Sequence, residues 1–488
     1  MQLDHAACYR AIQARDARFD GQLFTGVKTT GIYCRPICPA RTPHSENIVF
    51  YPSAAAAQAA GLRPCLRCRP EASPDLAAWR GTSNTVSRAL ALIETGALDA
   101  ADVGGLADRL GMGERQLRRL FRQHLGASPI AVAQTRRVLL AKQLIHETRL
   151  PMAEVALAAG FGSIRRFNET FLALYGRPPR ALRGDGAEIS AQDGSALSLQ
   201  LAYRPPYDWD AIIGFLRLRA IPGVESVESG SYARSIAIGQ DRGVLMVRPA
   251  AAHRLAVDIY FPRLSALPMI IARVRRLFDL AADPLAIGAQ LSQDPALAPL
   301  VAARPGLRVP GAWDGFELAI RAILGQQISV AAATALAGKI AAAYGEPLPA
   351  DIQGLAAGVT HVFPQAAALA GMDLARIGMP RARAAALSSL AAAVLADPLV
   401  LSARRSLDTA IAQLKALPGI GEWTAQYIAM RELREPDAFP HGDIGLMRAL
   451  ADADGQRPSA TELLARAEAW RPWRAYAALH LWTGENDA

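Results

Sequence analysis

LKALPGIGEWTAQYIAM, residues 414–430, decides how the larger half of this 488-residue chain folds. LPGIG places Gly419 and Gly421 in a tight turn between two helices. Glycine lets backbone N–H groups come close to a phosphate, and the N-terminus of the following helix adds a favourable dipole. A little further on, DAFPHGDIGLMRAL (437–450) sets Asp443 at a loop-to-helix junction. On position alone such an aspartate is a helix N-cap.

Working outward, the chain after about residue 284 is helical and alanine rich to its end. Before it, LSLQLAYRPP, SYARSIAIG, GVLMVRP and RLAVDIYFP alternate as strands do between turn signals. YDWDAIIGFLRLRAI and LSALPMIIARVRRLFDL read as helices. Residues 197–284 are therefore expected to form a small α+β domain, and 285–488 an all-α domain. LRGDGAEISAQDGSA, with residues 184–196 as its centre, has no apolar period and reads as a flexible linker that implies weak coupling.

Residues 79–183 repeat one helical design twice, as DVGGLADRLGMGERQLRRLFRQHLG and PMAEVALAAGFGSIRRFNETFLALYG. Each unit has a short amphipathic helix, a glycine turn, and a longer helix with Leu, Phe and Arg three and four apart. That is helix-turn-helix geometry, whose second helix enters the major groove. Arg115, Gln116, Arg118 and Arg119, then Ser163, Arg165 and Arg166, stand at the fronts of the two recognition helices. Arginine and glutamine can read guanine and adenine edges; contact with phosphate alone is the other reading. Leu117, Leu120, Phe121, Phe167 and Phe171 are expected in the core.

Charge is unevenly placed. Residues 1–183 carry 25 Lys plus Arg against 14 Asp plus Glu, and the remainder 28 against 30. A basic front half suggests a polyanion partner, although a merely basic surface has the same composition. No run of about 18 apolar residues occurs, so no membrane span is expected. MQLDHAACYR lacks the pattern of a signal peptide, which points to a cytoplasmic protein. Lys28, Lys142, Lys339 and Lys415 are the only lysines.

The five cysteines are Cys8, Cys34, Cys38, Cys65 and Cys68. Disulfides are not expected in a cytoplasmic chain. Cys34/Cys38 and Cys65/Cys68 form two short-spaced pairs, the pattern of one tetrahedral zinc site. Cys8 has no partner and is expected to be a buried thiol. Arg35, Arg41, Arg63, Arg67 and Arg69 surround the pairs. They would offset the formal charge of −2 on a zinc tetrathiolate, hold phosphates, or do both.

These stretches resemble known families. VKTTGIYCRPICPARTPHSENIVFY with AAGLRPCLRCRPE resembles the N-terminal domain of the Ada adaptive-response regulators. The resemblance implies a zinc methyl-acceptor domain over residues 1–78. In it Cys34 takes a methyl group irreversibly from a DNA methylphosphotriester, and Cys38, Cys65 and Cys68 are the other ligands. Arg41, Arg63 and Arg67 match residues that contact the DNA backbone. The paired helix-turn-helix units, closed by GRPPRALR, resemble the AraC type. They imply an activator that binds operator DNA and works with RNA polymerase.

The hairpin and Asp443 resemble the helix-hairpin-helix DNA glycosylases. WDGFELAIRAILGQQISVAAATALAGKI and AEAWRPWRAYAALHLW extend the likeness to the AlkA-type 3-methyladenine DNA glycosylase II over residues 197–488. The resemblance implies Asp443 as the catalytic carboxylate and Trp423, Tyr427 and Trp482 as the lining of the base pocket. Gln326 and Gln327 fall where the family places a wedge that fills the gap left by a flipped base. The carbonyls of Lys415, Leu417 and Ile420 fit the family's alkali-metal position. Ile444 stands where the family pattern has a tyrosine. Strand-cleaving relatives use a hairpin lysine; Trp423 occupies that place here, which implies a monofunctional hydrolase. No Pro-Cys-His-Arg motif occurs and no cysteine follows Cys68, so repair of O6-methylguanine is not expected.

The expectation is thus a multidomain, mostly α protein that accepts methyl groups to switch on transcription and excises alkylated bases. One rival is an AraC-type regulator whose glycosylase module is degenerate and only binds DNA. Another is a repair enzyme merely tethered by its front half.

Overall fold

The computed structural model describes residues 4–16, 19–73, 84–183, 196–251, 253–402, 406–452 and 454–486. The expected linker, Ala196 apart, lies outside the described residues, as does the expected boundary near residue 78. No helix among the described residues is long and apolar enough to cross a membrane.

The front domain is built on a four-stranded sheet in the order β3 (Ile48–Tyr51), β1 (Phe24–Val27), β2 (Ile32–Cys34) and β4 (Arg63–Pro64). β1 pairs antiparallel with β2 and β3, whereas β4 runs parallel to β2, with Tyr33 opposite Pro64. That register places the next residue of each strand, Cys34 and Cys65, side by side. Tyr33, Phe24 and Ala57 are buried beneath the sheet. Cys8 is buried with Ile12, Leu23 and Ile48, as its lack of a partner suggested.

The two helix-turn-helix units are Val103–Arg109 with Glu114–Leu125, and Met152–Ala158 with Ile164–Tyr175. The 19-residue helix Pro129–Glu147 joins them. It starts where the Ser128 hydroxyl accepts from the Ala131 N–H and Pro129, whose missing N–H costs nothing there, opens the first turn. Leu117, Phe121, Phe167 and Phe171 are fully buried; Leu120 is only half-buried.

A five-stranded antiparallel sheet follows, in the order β5 (Leu197–Ala202), β9 (Arg254–Tyr260), β8 (Asp241–Ala250), β7 (Ser231–Ile238) and β6 (Glu225–Glu228). Helices Trp209–Arg219 and Leu267–Leu277 cover it. The remainder is helical, around a core that gathers Phe316, Leu387, Ile428, Phe439, Trp470 and Leu481.

Weak coupling between the halves is not what the packing shows. Val138, Leu144, Phe167 and Phe171 of the second helix-turn-helix unit share one core with Leu199, Val247 and Val257 of the five-stranded sheet. Arg88 donates to Glu435 across 3.0 Å with both side chains 8% exposed. Gln143 donates to the Gln200 carbonyl at 3.0 Å. A charged pair is buried only where partners compensate its lost hydration, so these contacts define a specific interface.

His480, on the C-terminal helix Arg474–Asn486, is nearly fully buried, and burial holds its pKa down at about 4. The folded chain keeps this imidazole neutral, while the unfolded chain takes up a proton below about pH 6.5. Its stabilising contribution is therefore full above that pH and is lost as pH falls towards 4. Thermal unfolding followed from pH 7 to 4 should show a falling midpoint for the half that follows residue 196, and His480→Gln should flatten that slope.

Candidate functional site

Two sites take shape, one at each end of the chain. At the first, the sulfurs of Cys34, Cys38, Cys65 and Cys68 all lie within 4.8 Å of one another. Zinc–sulfur bonds of roughly 2.3 Å in a tetrahedron put sulfurs about 3.8 Å apart, so the cluster fits one ion. Backbone N–H groups already point at sulfur: Arg35 to Cys68 at 3.3 Å and Arg67 to Cys65 at 3.4 Å. Cys65 and Cys68 are buried, while Cys34 and Cys38 are half-buried and reachable from outside.

The surrounding arginines divide into two groups. Arg35 is buried and grips Asp20 through two nitrogens, while donating to the Cys68 carbonyl at 3.1 Å. Arg69 is tied to Glu71 and Glu147. Arg41 and Arg67 are exposed and Arg63 is half-buried. Structural and outward-facing arginines could not be told apart by sequence proximity to the cysteines.

On the recognition helices Arg115, Gln116, Arg119, Arg165 and Arg166 are exposed. Arg118 pairs with Glu114 and Arg165 with Glu169, each one helical turn away. Ser163 is the N-cap of its helix, accepting from the Arg166 N–H at 3.2 Å, so capping is one task of a hydroxyl read above as a base or phosphate contact.

The second site centres on the hairpin formed by helices Leu407–Lys415 and Glu422–Arg431. Gly419 has φ of 82°, and a Cβ there would come within 2.5 Å of the Ala386 methyl, so both backbone and space require glycine. Gly421 is different: it caps the second helix with φ of −85°, and nothing lies within 4 Å of where its Cβ would be. Its part is to keep the helix N-terminus open. Lys415 is drawn across the hairpin to Glu422 at 2.7 Å, while Ile420 is buried and its N–H donates to the Leu417 carbonyl at 3.2 Å.

Asp443 is both an N-cap and the centre of this site. One carboxylate oxygen, Oδ1, accepts from the Leu446 N–H at 3.1 Å and from the Trp482 indole at 2.9 Å. The other, Oδ2, accepts from the Trp423 indole at 2.7 Å. Trp423 stacks on Tyr427 with ring centroids 5.0 Å apart and planes at 11°. The Tyr427 hydroxyl accepts from Arg431 at 2.6 Å. Burial would raise this phenol's pKa, but the charge of Arg431, then of Arg219, brings it below the usual tyrosine value. The structure therefore gathers Trp423, Tyr427, Trp482 and Asp443 in one place and adds Arg431, which sequence reading had missed. Its signal was available: it lies four residues after Tyr427, on the same helical face. Ile444, the next residue after the carboxylate, is 62% exposed.

The two wedge candidates separate. The Gln326 amide donates to the Gly419 carbonyl at 2.8 Å and to the Thr424 hydroxyl at 3.0 Å, so it braces the hairpin and does not project. The backbone carbonyl of Gln326 accepts from Arg383 at 2.6 Å. Gln327 is exposed and sits at φ of 58°, a backbone conformation that is uncommon for a non-glycine residue.

A helix-hairpin-helix with a carboxylate held in this way, behind paired helix-turn-helix units and a four-cysteine domain, defines a multidomain DNA-handling protein. Residues 7–71 match the metal binding domain of Ada and 106–185 a helix-turn-helix domain. Residues 198–314 match the AlkA N-terminal domain, and 320–475 the HhH-GPD superfamily base excision DNA repair protein. The chain is 43% identical over 489 aligned residues to the probable bifunctional transcriptional activator/DNA repair enzyme AlkA of Mycobacterium tuberculosis, covering 99% of this chain and 97% of that protein. It is 39% identical to DNA-3-methyladenine glycosylase 2 of Escherichia coli, over 59% of this chain and 97% of that enzyme. The 3-methyladenine DNA-glycosylase of Archaeoglobus fulgidus shares the fold, with a TM-score of 0.52 and 22% identity over 59% of this chain and 98% of that one. The chain belongs to the family of bifunctional transcriptional activator/DNA repair enzymes AlkA.

Each indole N–H fixes one oxygen of Asp443. Replacing Trp482 by Phe keeps an aromatic ring but removes one donor. The expected result is roughly a ten-fold loss in the rate of base release, the size of one hydrogen bond that orients a charge. Single-turnover kinetics on DNA containing 3-methyladenine, with wild-type thermal stability as a control, measure it.

Proposed function

We propose that this chain accepts methyl groups from DNA methylphosphotriesters on Cys34, activates transcription in response, and removes alkylated bases such as 3-methyladenine as a monofunctional glycosylase. The observation that carries the glycosylase reading is Asp443, held by two indoles beside an aromatic stack on the hairpin. The four-cysteine cluster and the identity with the Mycobacterium tuberculosis protein support the sensor reading.

In base release, the damaged nucleotide is flipped out of the stack. An N3- or N7-alkylated purine is cationic, which already weakens its glycosidic bond. Stacked, electron-rich Trp423 and Tyr427 favour a cationic base over a neutral one. As the bond between C1′ and the base nitrogen breaks, the base leaves with the electron pair. The Asp443 carboxylate stabilises the positive charge developing on the sugar and orients the water that adds at C1′. Because both oxygens are fixed beforehand, little reorganisation is needed during reaction. Gln327 fills the vacated stack, with Gln326 bracing the loop that carries it. The backbone around Gly419 and Gly421 receives phosphate, and the carbonyls of Lys415, Leu417 and Ile420 provide the position for an alkali-metal ion. No lysine follows Lys415 in the chain, so no amine is at hand for Schiff-base strand cleavage.

In methyl transfer, Cys34, Cys38, Cys65 and Cys68 would hold zinc. When bound, zinc keeps cysteine deprotonated and nucleophilic at neutral pH. The Cys34 sulfur bonds to the methyl carbon while the methyl–oxygen bond breaks, and the phosphate oxygen keeps the electron pair as an ordinary diester. The cysteine becomes a thioether and the centre loses one negative charge. Repulsion from phosphate falls, so DNA affinity rises on the face that presents Arg41, Arg63 and Arg67. Operator reading falls to Arg115, Gln116, Arg118 and Arg119 on one recognition helix and to Ser163, Arg165 and Arg166 on the other, with RNA polymerase as the partner in activation.

Asp443→Asn keeps the N-cap oxygen but replaces a charged acceptor with an amide. Base release from 3-methyladenine DNA should fall by at least about a hundred-fold. Neither protein should nick the strand before alkali is added. Wild-type protein that releases no base would overturn the glycosylase reading.

A further inference from the structure

Lys142 is one of four lysines in the chain and is fully buried in the middle of the helix Pro129–Glu147. An ammonium group is kept out of water only where its partners replace its hydration. Here its Nζ donates to Glu71 Oε2 at 2.6 Å and to the backbone carbonyl of Cys65 at 2.9 Å. The helix that connects the two DNA-reading units thus reaches directly into the loop that carries two of the four cysteines.

The contacts continue from there. Glu71, itself buried, accepts from Arg69 Nε at 3.1 Å through its other oxygen. Arg69 reaches Glu147, the last residue of the helix, at 2.8 Å. Glu147 in turn accepts from Gln143 at 3.0 Å and from the Gln200 N–H of β5 at 3.1 Å. Leu66, between Cys65 and Cys68, packs against the core shared by the second helix-turn-helix unit and the five-stranded sheet. Tyr175, which ends the second recognition helix, packs against that core too and feels the charge of Glu71. A continuous polar path therefore runs from the cysteine loop along the helix Pro129–Glu147 to the edge strand β5, and the second recognition helix meets it through the packing of Tyr175 on the shared core.

We propose that Lys142 and Glu71 form a joint through which the charge of the cysteine centre sets how tightly the sensor is clamped to the DNA-reading helices and to β5. This rests on the reading of Cys34 as a methyl acceptor. With four thiolates around zinc the centre carries a formal charge of −2, and the Lys142 ammonium is drawn to it. A methylated Cys34 leaves −1, which weakens that attraction in an interior where charge is poorly screened. The joint then loosens, and the second recognition helix is freed to adjust its spacing from the first on continuous DNA.

Hydrogen exchange on the zinc-loaded full chain tests this. The amides read out are those of residues 138–147 and 197–202, before and after incubation with a duplex that carries a methylphosphotriester, with mass spectrometry of Cys34 alongside. Methylation should speed their exchange several-fold. Cys34→His, which keeps four ligands but removes one negative charge, should do the same with no methyl donor present. In Lys142→Met exchange should already be fast, and neither change should add to it.

The proposal is overturned if zinc-loaded Cys34→His exchanges like wild type, or if Lys142→Met still responds to that substitution. Should Lys142→Met not fold, Glu71→Gln takes its place in the comparison. An unmodified Cys34 after incubation would instead count against the methyl-acceptor reading, and the histidine variant would still decide the joint.

Discussion

The grip of two indole N–H groups on the Asp443 carboxylate is the contact on which the glycosylase half depends. It needs Trp423 from the hairpin, Trp482 from the C-terminal helix and Asp443 from the junction between them, three segments that meet only when the helical core has closed. In the role proposed above Asp443 faces a developing cation, and pairing with a lysine or an arginine would cancel the charge that role needs. Neutral donors fix its direction and leave its charge intact. The nearby arginines act one layer back, on the Tyr427 hydroxyl, where they polarise the stack without pairing with the carboxylate.

The front half relies on a comparable constraint. Parallel pairing of β2 with β4 sets Cys34 next to Cys65, and each short-spaced pair then brings its second sulfur to the same point. Buried Cys65 and Cys68 anchor that point to the interior, through Arg35 on one side and Lys142 on the other. The half-buried Cys34 is left at the surface, where a phosphate can approach. In the methyl transfer proposed above, this arrangement is anchored on the side of the protein and open on the side of DNA.

Features carried by local pattern were legible in the sequence. Two short cysteine spacings, paired glycine-turn helices, strand alternation and the LPGIG turn each describe residues close together in the chain, and the structure has the corresponding elements. Asp443 was legible as a junction residue, and the structure shows it capping the helix with a carboxylate that also accepts from two indole N–H groups. What escaped were pairings over long separations. Nothing near Arg88 in the chain points to Glu435, and nothing near Lys142 points to Cys65. The polar segment around residue 190 suggested loosely joined halves, yet the apolar residues on either side of it complete one another's core. Gln326 and Gln327 were indistinguishable as neighbours, and only the backbone at φ of 58° turns one outward while its neighbour folds back onto the hairpin.

The central claim is that one chain carries a single-use methyl acceptor and a multiple-turnover glycosylase. Duplex DNA treated with a methylating agent and incubated with a small amount of the full protein measures both at once, by mass spectrometry of Cys34 and chromatography of the released bases. The account predicts one methyl group on Cys34 and no more per chain, while free 3-methyladenine accumulates well beyond one equivalent with the strands intact. An unmodified Cys34, or base release that stops at one equivalent or fewer, would contradict it.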